Sequence, residues 1–166
     1  MRRVLFLAPM LVWLAGSTSK AQDSIKVAAT FECGEPDQSY TIEIGDHPVH
    51  EFMLTKTACR YTKPLLLGGT QSKTHLTTFF NDLNGDRTMR HAVAAIKFEN
   101  GDELFYRSEG TGVAPGGVPQ TANGQWFIDG GTGKFEGAKG QGTYEGRTPP
   151  EGTRTYNLEG EITLAK

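Results

Sequence analysis

Residues able to do chemistry are sparse in this chain, and each group has to be tested on its spacing. The run Gly130-Gly131-Thr132-Gly133-Lys134 has the look of a phosphate cradle. A P-loop needs glycine, four residues, then Gly-Lys-Ser/Thr at the head of a helix. Here Ile128 stands at the first place, Phe135 follows the lysine, and no helical pattern comes after. The dinucleotide fingerprint fails as well, because three residues separate Gly133 from Gly137 where two are required. The spacing argues against nucleotide binding. His47-Pro48-Val49-His50-Glu51 offers two imidazoles and a carboxylate, but it matches neither orientation of the zinc-protease helix motif. In an extended segment, residues three apart point to opposite faces, so joint ligation would need a turn; a solvated turn is the expectation and no metal is assigned. His75 and His91 stand alone. Asp82-Leu83-Asn84-Gly85-Asp86-Arg87 starts like a calcium loop, yet Arg87 occupies the glycine place and Val93 the closing glutamate place. A hairpin turn around Asn84-Gly85 fits it better.

Tyr106-Arg107-Ser108-Glu109 is the remaining candidate. On a strand, Arg107 and Glu109 share one face while Leu104, Tyr106 and Ser108 share the other. Whichever face lines the interior acquires polar groups, so Tyr106, Arg107 and Glu109 are taken as the candidate ligand-binding residues. The plainer reading is an outward salt bridge worth under about 1 kcal/mol. No serine-histidine-aspartate spacing announces a hydrolase, no catalytic residue is assigned, and no cofactor is expected.

The N-terminus bears on where these residues work. Met1-Arg2-Arg3, an apolar stretch from Val4 to Ala15 and a small-x-small site at Ser19 and Ala21 are laid out as a secretory signal peptide, cleaved before Gln22. The apolar run is too short to span a bilayer of roughly 30 Å, and Ser17 stands where a lipidated cysteine would have to be. Free secretion is expected, to the periplasm or the medium. The remaining residues 22–166 suit one domain, and without Arg2, Arg3 and Lys20 its 14 basic residues face 19 acidic ones. That balance gives no footprint for nucleic acid, and no second apolar run approaches membrane-spanning length. Cys33 and Cys59, 26 residues apart, read as one disulfide in an oxidising compartment. The alternative is two thiols, one of them catalytic.

Nine strand-like segments must position these side chains: Ile25 to Cys33, Tyr40 to Ile44, Glu51 to Tyr61, Ser72 to Phe80, His91 to Glu99, Glu103 to Glu109, Gln125 to Asp129, Gly140 to Gly146 and Arg154 to Leu164. Asn100-Gly101 predicts a hairpin with a type I′ turn. Little helix is expected. Of 21 glycines, 14 follow Glu109, many inside strand-like stretches, which favours a closed antiparallel barrel over a sandwich. The Gly112 to Gly124 stretch is expected to be an irregular flap at one mouth.

Gly130-Gly131-Thr132-Gly133-Lys134-Phe135-Glu136-Gly137-Ala138-Lys139-Gly140 resembles the glycine signature of the dirigent and allene oxide cyclase superfamily. The leader, the cysteine pair, Thr62-Lys63-Pro64 and Phe105 to Thr111 are similar to a group of small secreted bacterial proteins sharing that barrel. The resemblance implies an eight-stranded antiparallel β-barrel with a largely apolar cavity, in which Thr132 and Lys134 belong to a turn and rim and Phe135 is a packing plug. Gly130, Gly131, Gly133, Gly137 and Gly140 are then structural. Residues that act in the plant enzymes lie outside this motif and find no match here. Two functions follow as expectations: a non-catalytic module holding a small apolar or amphipathic ligand in the lumen, or a partner at its rim, and a cofactor-free enzyme shaping an unsaturated substrate. The first is favoured because no activating constellation is visible. A lumen filled by apolar side chains would count against both small-molecule readings, and a homo-oligomer is left open.

Overall fold

A computed structural model describes residues 23–149 and 153–165; the leader lies outside the described residues. Ten strands follow one another: β1 (Ser24–Cys33), β2 (Gln38–Glu43), β3 (His50–Lys63), β4 (Leu66–Leu67), β5 (Thr70–Asn84), β6 (Arg87–Phe98), β7 (Glu103–Val113), β8 (Thr121–Gly131), β9 (Lys139–Arg147) and β10 (Arg154–Thr163). The sheet order β2-β3-β1-β10-β9-β8-β7-β6-β5-β4, together with a β3–β5 ladder, closes eight of them into a barrel. Every ladder is antiparallel. All nine strand expectations are met, and β4 is an addition too short to show in a sequence pattern. Among the described residues, no helix is long and apolar enough to cross a membrane.

The side-chain period of two explains the wall. In β6, Thr88, Arg90, Ala92, Ala94, Ile96 and Phe98 are all buried while the residues between them face out. Three local expectations need correction. First, β2 alternates as foreseen, but it hangs outside the barrel on the first half of β3. Tyr40 and Ile42 are therefore 63% and 66% exposed. Second, the irregular flap shrinks to residues 114–120 around a short 3-10 turn (Pro115–Gly117), because β7 and β8 run on to Val113 and back to Thr121. Third, the Asn100-Gly101 hairpin is not type I′, which needs left-handed backbone at both central residues. Here Gly101 has φ 89° but Asn100 does not enter that region; the Gly101 amide bonds Phe98 O at 3.0 Å and the Phe98 amide bonds Asp102 O at 2.9 Å. That is a three-residue loop with a glycine bulge. The Asn100 side chain, bonded to the Asp102 carboxylate and amide, holds it in the ordinary turn conformation.

One end of the barrel is sealed by the glycine motif. After β8 the chain makes a 3-10 turn (Gly133–Phe135) that drops Phe135 into the barrel, fully buried and 4.3 Å from the Phe98 ring centre. Gly133 takes φ 54° directly against Asp102, where no side chain would fit, and Asp102 accepts the Lys134 amide at 3.0 Å. Thr132 Oγ1 accepts the Glu103 amide at 2.9 Å. Phe135 is thus packed into the barrel, and Thr132 and Gly133 form the turn that puts it there.

Candidate functional site

Above the plug, the middle of the lumen is filled. Phe31, Tyr61, His75, Tyr106, Trp126 and Tyr156 meet there, with Phe31 4.2 Å from the His75 ring and 5.3 Å from that of Tyr156. Trp126 fits because Gly142 and Gly160 leave its indole room; its Nε1 donates to the backbone of Thr143 and Glu159. Two residual voids of about 20 Å³ each have room for roughly one water molecule. The lumen centre holds no ligand-sized space.

Polar chemistry is nonetheless buried in it. His75 Nε2 lies 2.9 Å from Tyr106 Oη, and Nδ1 has no hydrogen-bond partner. Burial pushes the His75 imidazole down to about 3, so it is neutral, and raises the Tyr61 and Tyr106 phenols. Ionisable groups with shifted pKa values therefore converge inside the barrel, as an enzyme reading requires. Burial is the leading cause of each shift rather than an activating charge, and the void beside them admits no substrate.

Space opens at the other end. Between the sheet mouth, the β2–β3 hairpin and the 114–120 loop lies a cavity of about 340 Å³, at the small end of ligand pockets of about 300–1,000 Å³. Its apolar wall includes Met53, Phe79, Leu83 and Pro119, and its polar groups include Thr55, Thr57, Asn81 and Thr88. The inward period of β6 brings Arg90 to its floor, 5% exposed, with the guanidinium 4.8 Å from the Phe79 ring centre and 5.7 Å from that of Tyr156. Arg90 Nε donates to Asn81 Oδ1 at 3.0 Å, across the β5–β6 register that pairs the two residues. Burial raises the nearby Tyr144 phenol, against the pull of Arg90.

The sequence candidates do not form one site. Tyr106 and Ser108 face the lumen, whereas Arg107 and Glu109 are exposed on the outer wall. Arg107 pairs with Asp129 rather than Glu109 and covers the Phe127 ring at 5.0 Å. Arg107 and Glu109 border a shallow outer groove of about 160 Å³ beside Phe80 and His91. Cys33 and Cys59 are register partners on β1 and β3 and form the disulfide. His47 and His50 lie in a turn, as expected, and a left-handed Val49 (φ 59°) brings them together. Their rings stack 4.7 Å apart, and their ligand atoms and those of Asp46 lie within 4.8 Å of one another. His50 Nδ1 faces Asp46 at 2.6 Å and Nε2 faces Asp82 at 3.1 Å. Two carboxylates flanking one ring favour its charged form; the Asp46 hydrogen bond raises the His50 pKa, and His50 lowers that of Asp46. The cluster is satisfied as an ion-pair network. The calcium-like run is a tight hairpin, with Gly85 at φ 60° and Asp86 tying the 114–120 loop through the Ala114 and Gly116 amides.

No family model matches the chain, and no curated protein matches it. Solved structures do. A pterocarpan synthase dirigent protein, PsPTS1, superposes with a TM-score of 0.50 at 13% identity, over 87% of this chain and 97% of its own. Pyocyanin demethylase matches at TM-score 0.44 and 21% identity, over 80% and 98%. A protein with unknown function from Clostridium acetobutylicum ATCC 824 matches at 0.47 and 11%, over 88% and 99%. The fold is like that of the dirigent protein: an eight-stranded closed antiparallel sheet, here plugged at one end by Phe135 of the glycine motif.

Proposed function

We propose that this chain is a secreted, non-catalytic binding module that holds a small amphipathic molecule in the open mouth of its barrel. The cavity of about 340 Å³ above the filled lumen carries this reading: polar and apolar walls meet there in a space of ligand size, with a buried guanidinium on its floor. A wider cleft of about 550 Å³ beside Asp82 and Met89 has no such buried group among its described residues. The binding place thus moves from the lumen centre to its mouth. Secretion rests on the leader and on the disulfide, a bond at home in oxidising compartments. A dirigent-like or cyclase-like activity would need a substrate to reach His75 and Tyr106, past side chains that leave room for about one water. The dirigent likeness is one of fold and brings no substrate with it. The homo-oligomer left open above has a surface to use: Tyr40, Leu54 and Phe80 sit side by side across β2, β3 and β5 on the outer wall, all exposed.

The test is native mass spectrometry of protein purified from its source. A small molecule should be retained by the wild type and by Arg107→Leu, which alters only the outer wall. It should be lost from Ser39→Trp, because Ser39 is an exposed residue bordering the cavity and an indole there would fill it. Retention by Ser39→Trp together with loss from Arg107→Leu would return the site to the outer groove.

A further inference from the structure

Arg90 carries a charge that no described residue of the mouth neutralises. Among the described residues its Nε bond to Asn81 is the hydrogen bond it donates, and no carboxylate lies within 4 Å of it. The fully enclosed side-chain atoms without partners are His75 Nδ1 and Tyr156 Oη, so the two terminal nitrogens of Arg90 are not sealed away. Arg90 lines both the mouth cavity and the lumen void of about 20 Å³ beneath it, and of the two only the mouth has room for a ligand. The two other described charged residues bordering the mouth cavity, Glu35 and Arg154, have opposite signs. Among the described residues the mouth therefore presents about one uncompensated positive charge, set on its floor against two aromatic rings. Buried charges in folded proteins are ordinarily paired, and a guanidinium laid against aromatic faces is weakly hydrated and poised to take an anion.

We infer that Arg90 is the receptor for the carboxylate of a small amphipathic monoacid, whose two oxygens meet Nη1 and Nη2 end-on while its apolar body lies along Phe79, Leu83 and Met53. The inference rests on reading the mouth as the ligand site and names the class of ligand. Nε is already held by Asn81, which fixes the fork and leaves its outer edge to the ligand. That edge presents two parallel N–H donors, the arrangement a carboxylate accepts bidentately. A single positive charge with Glu35 at the rim matches a monoanion better than a dianionic phosphate.

The experiment is calorimetric or NMR titration of the mature protein with two matched pairs, hydrocinnamate against hydrocinnamamide and octanoate against octanamide. Each pair shares its apolar body and differs in charge. The acids should bind about ten- to a hundredfold more tightly than their amides, the range set by hydrogen bonds to an ionised partner. Arg90→Met should bring acid and amide to equal affinity, and Arg90→Lys should keep only part of the preference, having the charge without the fork. Equal binding of acids and amides by the wild type would overturn the carboxylate assignment and leave the mouth as a neutral amphipathic site. A preference that persists in Arg90→Met would take the assignment away from Arg90. Binding of neither series would overturn the mouth reading itself. Should Arg90→Met fail to fold, Arg90→Lys and the acid–amide comparison on the wild type decide the matter between them.

Discussion

Reducing the Cys33–Cys59 disulfide tests how the barrel is closed. The β1–β3 seam is the short one: four residue pairs, Thr30–Lys63, Phe31–Tyr61, Glu32–Arg60 and Cys33–Cys59, interrupted by a bulge. The neighbouring β1–β10 ladder runs the full ten residues of β1. The disulfide stands at the mouth end of this seam, where β1 leaves the sheet and β3 passes from β1 to β2 as its partner. Cross-linking residues 26 apart removes chain entropy worth about 3.5 kcal/mol from the unfolded state. For a domain of this size, with roughly 2–4 °C per kcal/mol, Tm should fall by about 10 °C in reductant. Thermal unfolding followed by circular dichroism, with and without reductant, reads this directly. Amide exchange of residues 59–63 should rise before that of β6 does, because β6 is paired along its length on both sides. A Tm shift below about 3 °C, near 1 kcal/mol, would refute the idea that the seam depends on its cross-link.

Two further outcomes follow from the filled lumen. A Cβ on Gly160 would stand 2.5 Å from the Trp126 ring and 2.3 Å from Gln141 O, so Gly160→Ala should destabilise by about 1–3 kcal/mol in denaturant titration. An unchanged midpoint would mean that the indole is not tightly held. His75 is buried and neutral, with its folded pKa depressed to about 3 against about 6.5 unfolded, so only the unfolded state takes up the proton between those values. Its contribution is whole above pH 6.5 and is lost as pH falls, at up to about 1.4 kcal/mol per pH unit. His75→Gln, which keeps a partner for Tyr106 and does not titrate, should flatten the loss between pH 6.5 and 4; equal slopes in the two proteins would contradict the burial.

The barrel could be read from the chain because its signals are local: alternation in strand after strand, turn glycines, and a motif whose spacing rules out a phosphate loop. The site was harder to read, since it depends on which face of each strand turns inward. In β7 the pattern left both faces open, and the wall put Tyr106 and Ser108 inside and Arg107 and Glu109 outside. In β6 a usable signal was present. Arg90 falls in phase with Ala92, Ala94, Ile96 and Phe98, the small and apolar row that faces in. The expected strand begins at His91, whereas β6 begins at Arg87, so Arg90 falls outside the expected segment. Even with the phase right, Met89 and Val93 on the opposite face blur the choice, because β6 is apolar on both sides. Neighbouring register, which brings Asn81 and Phe79 beside Arg90, resolves it only once the strands are paired. At residues 47–50 the turn itself was legible from Pro48, but the stacking of the His47 and His50 rings follows from a left-handed Val49 that no residue pattern announces.

Filling and charge together are why we place the proposed binding at the mouth and not at the barrel centre. A small barrel packed with aromatic rings has no interior volume to spare, so the ligand-sized space lies where strands end and loops lift away. A charge kept at that boundary is desolvated enough to bind strongly and open enough to be reached. Arg90 lies there, with its aromatic neighbours below and the cavity above. On the proposed reading, the same fold with an apolar residue at position 90 would keep its barrel and its mouth and would no longer tell an acid from its amide.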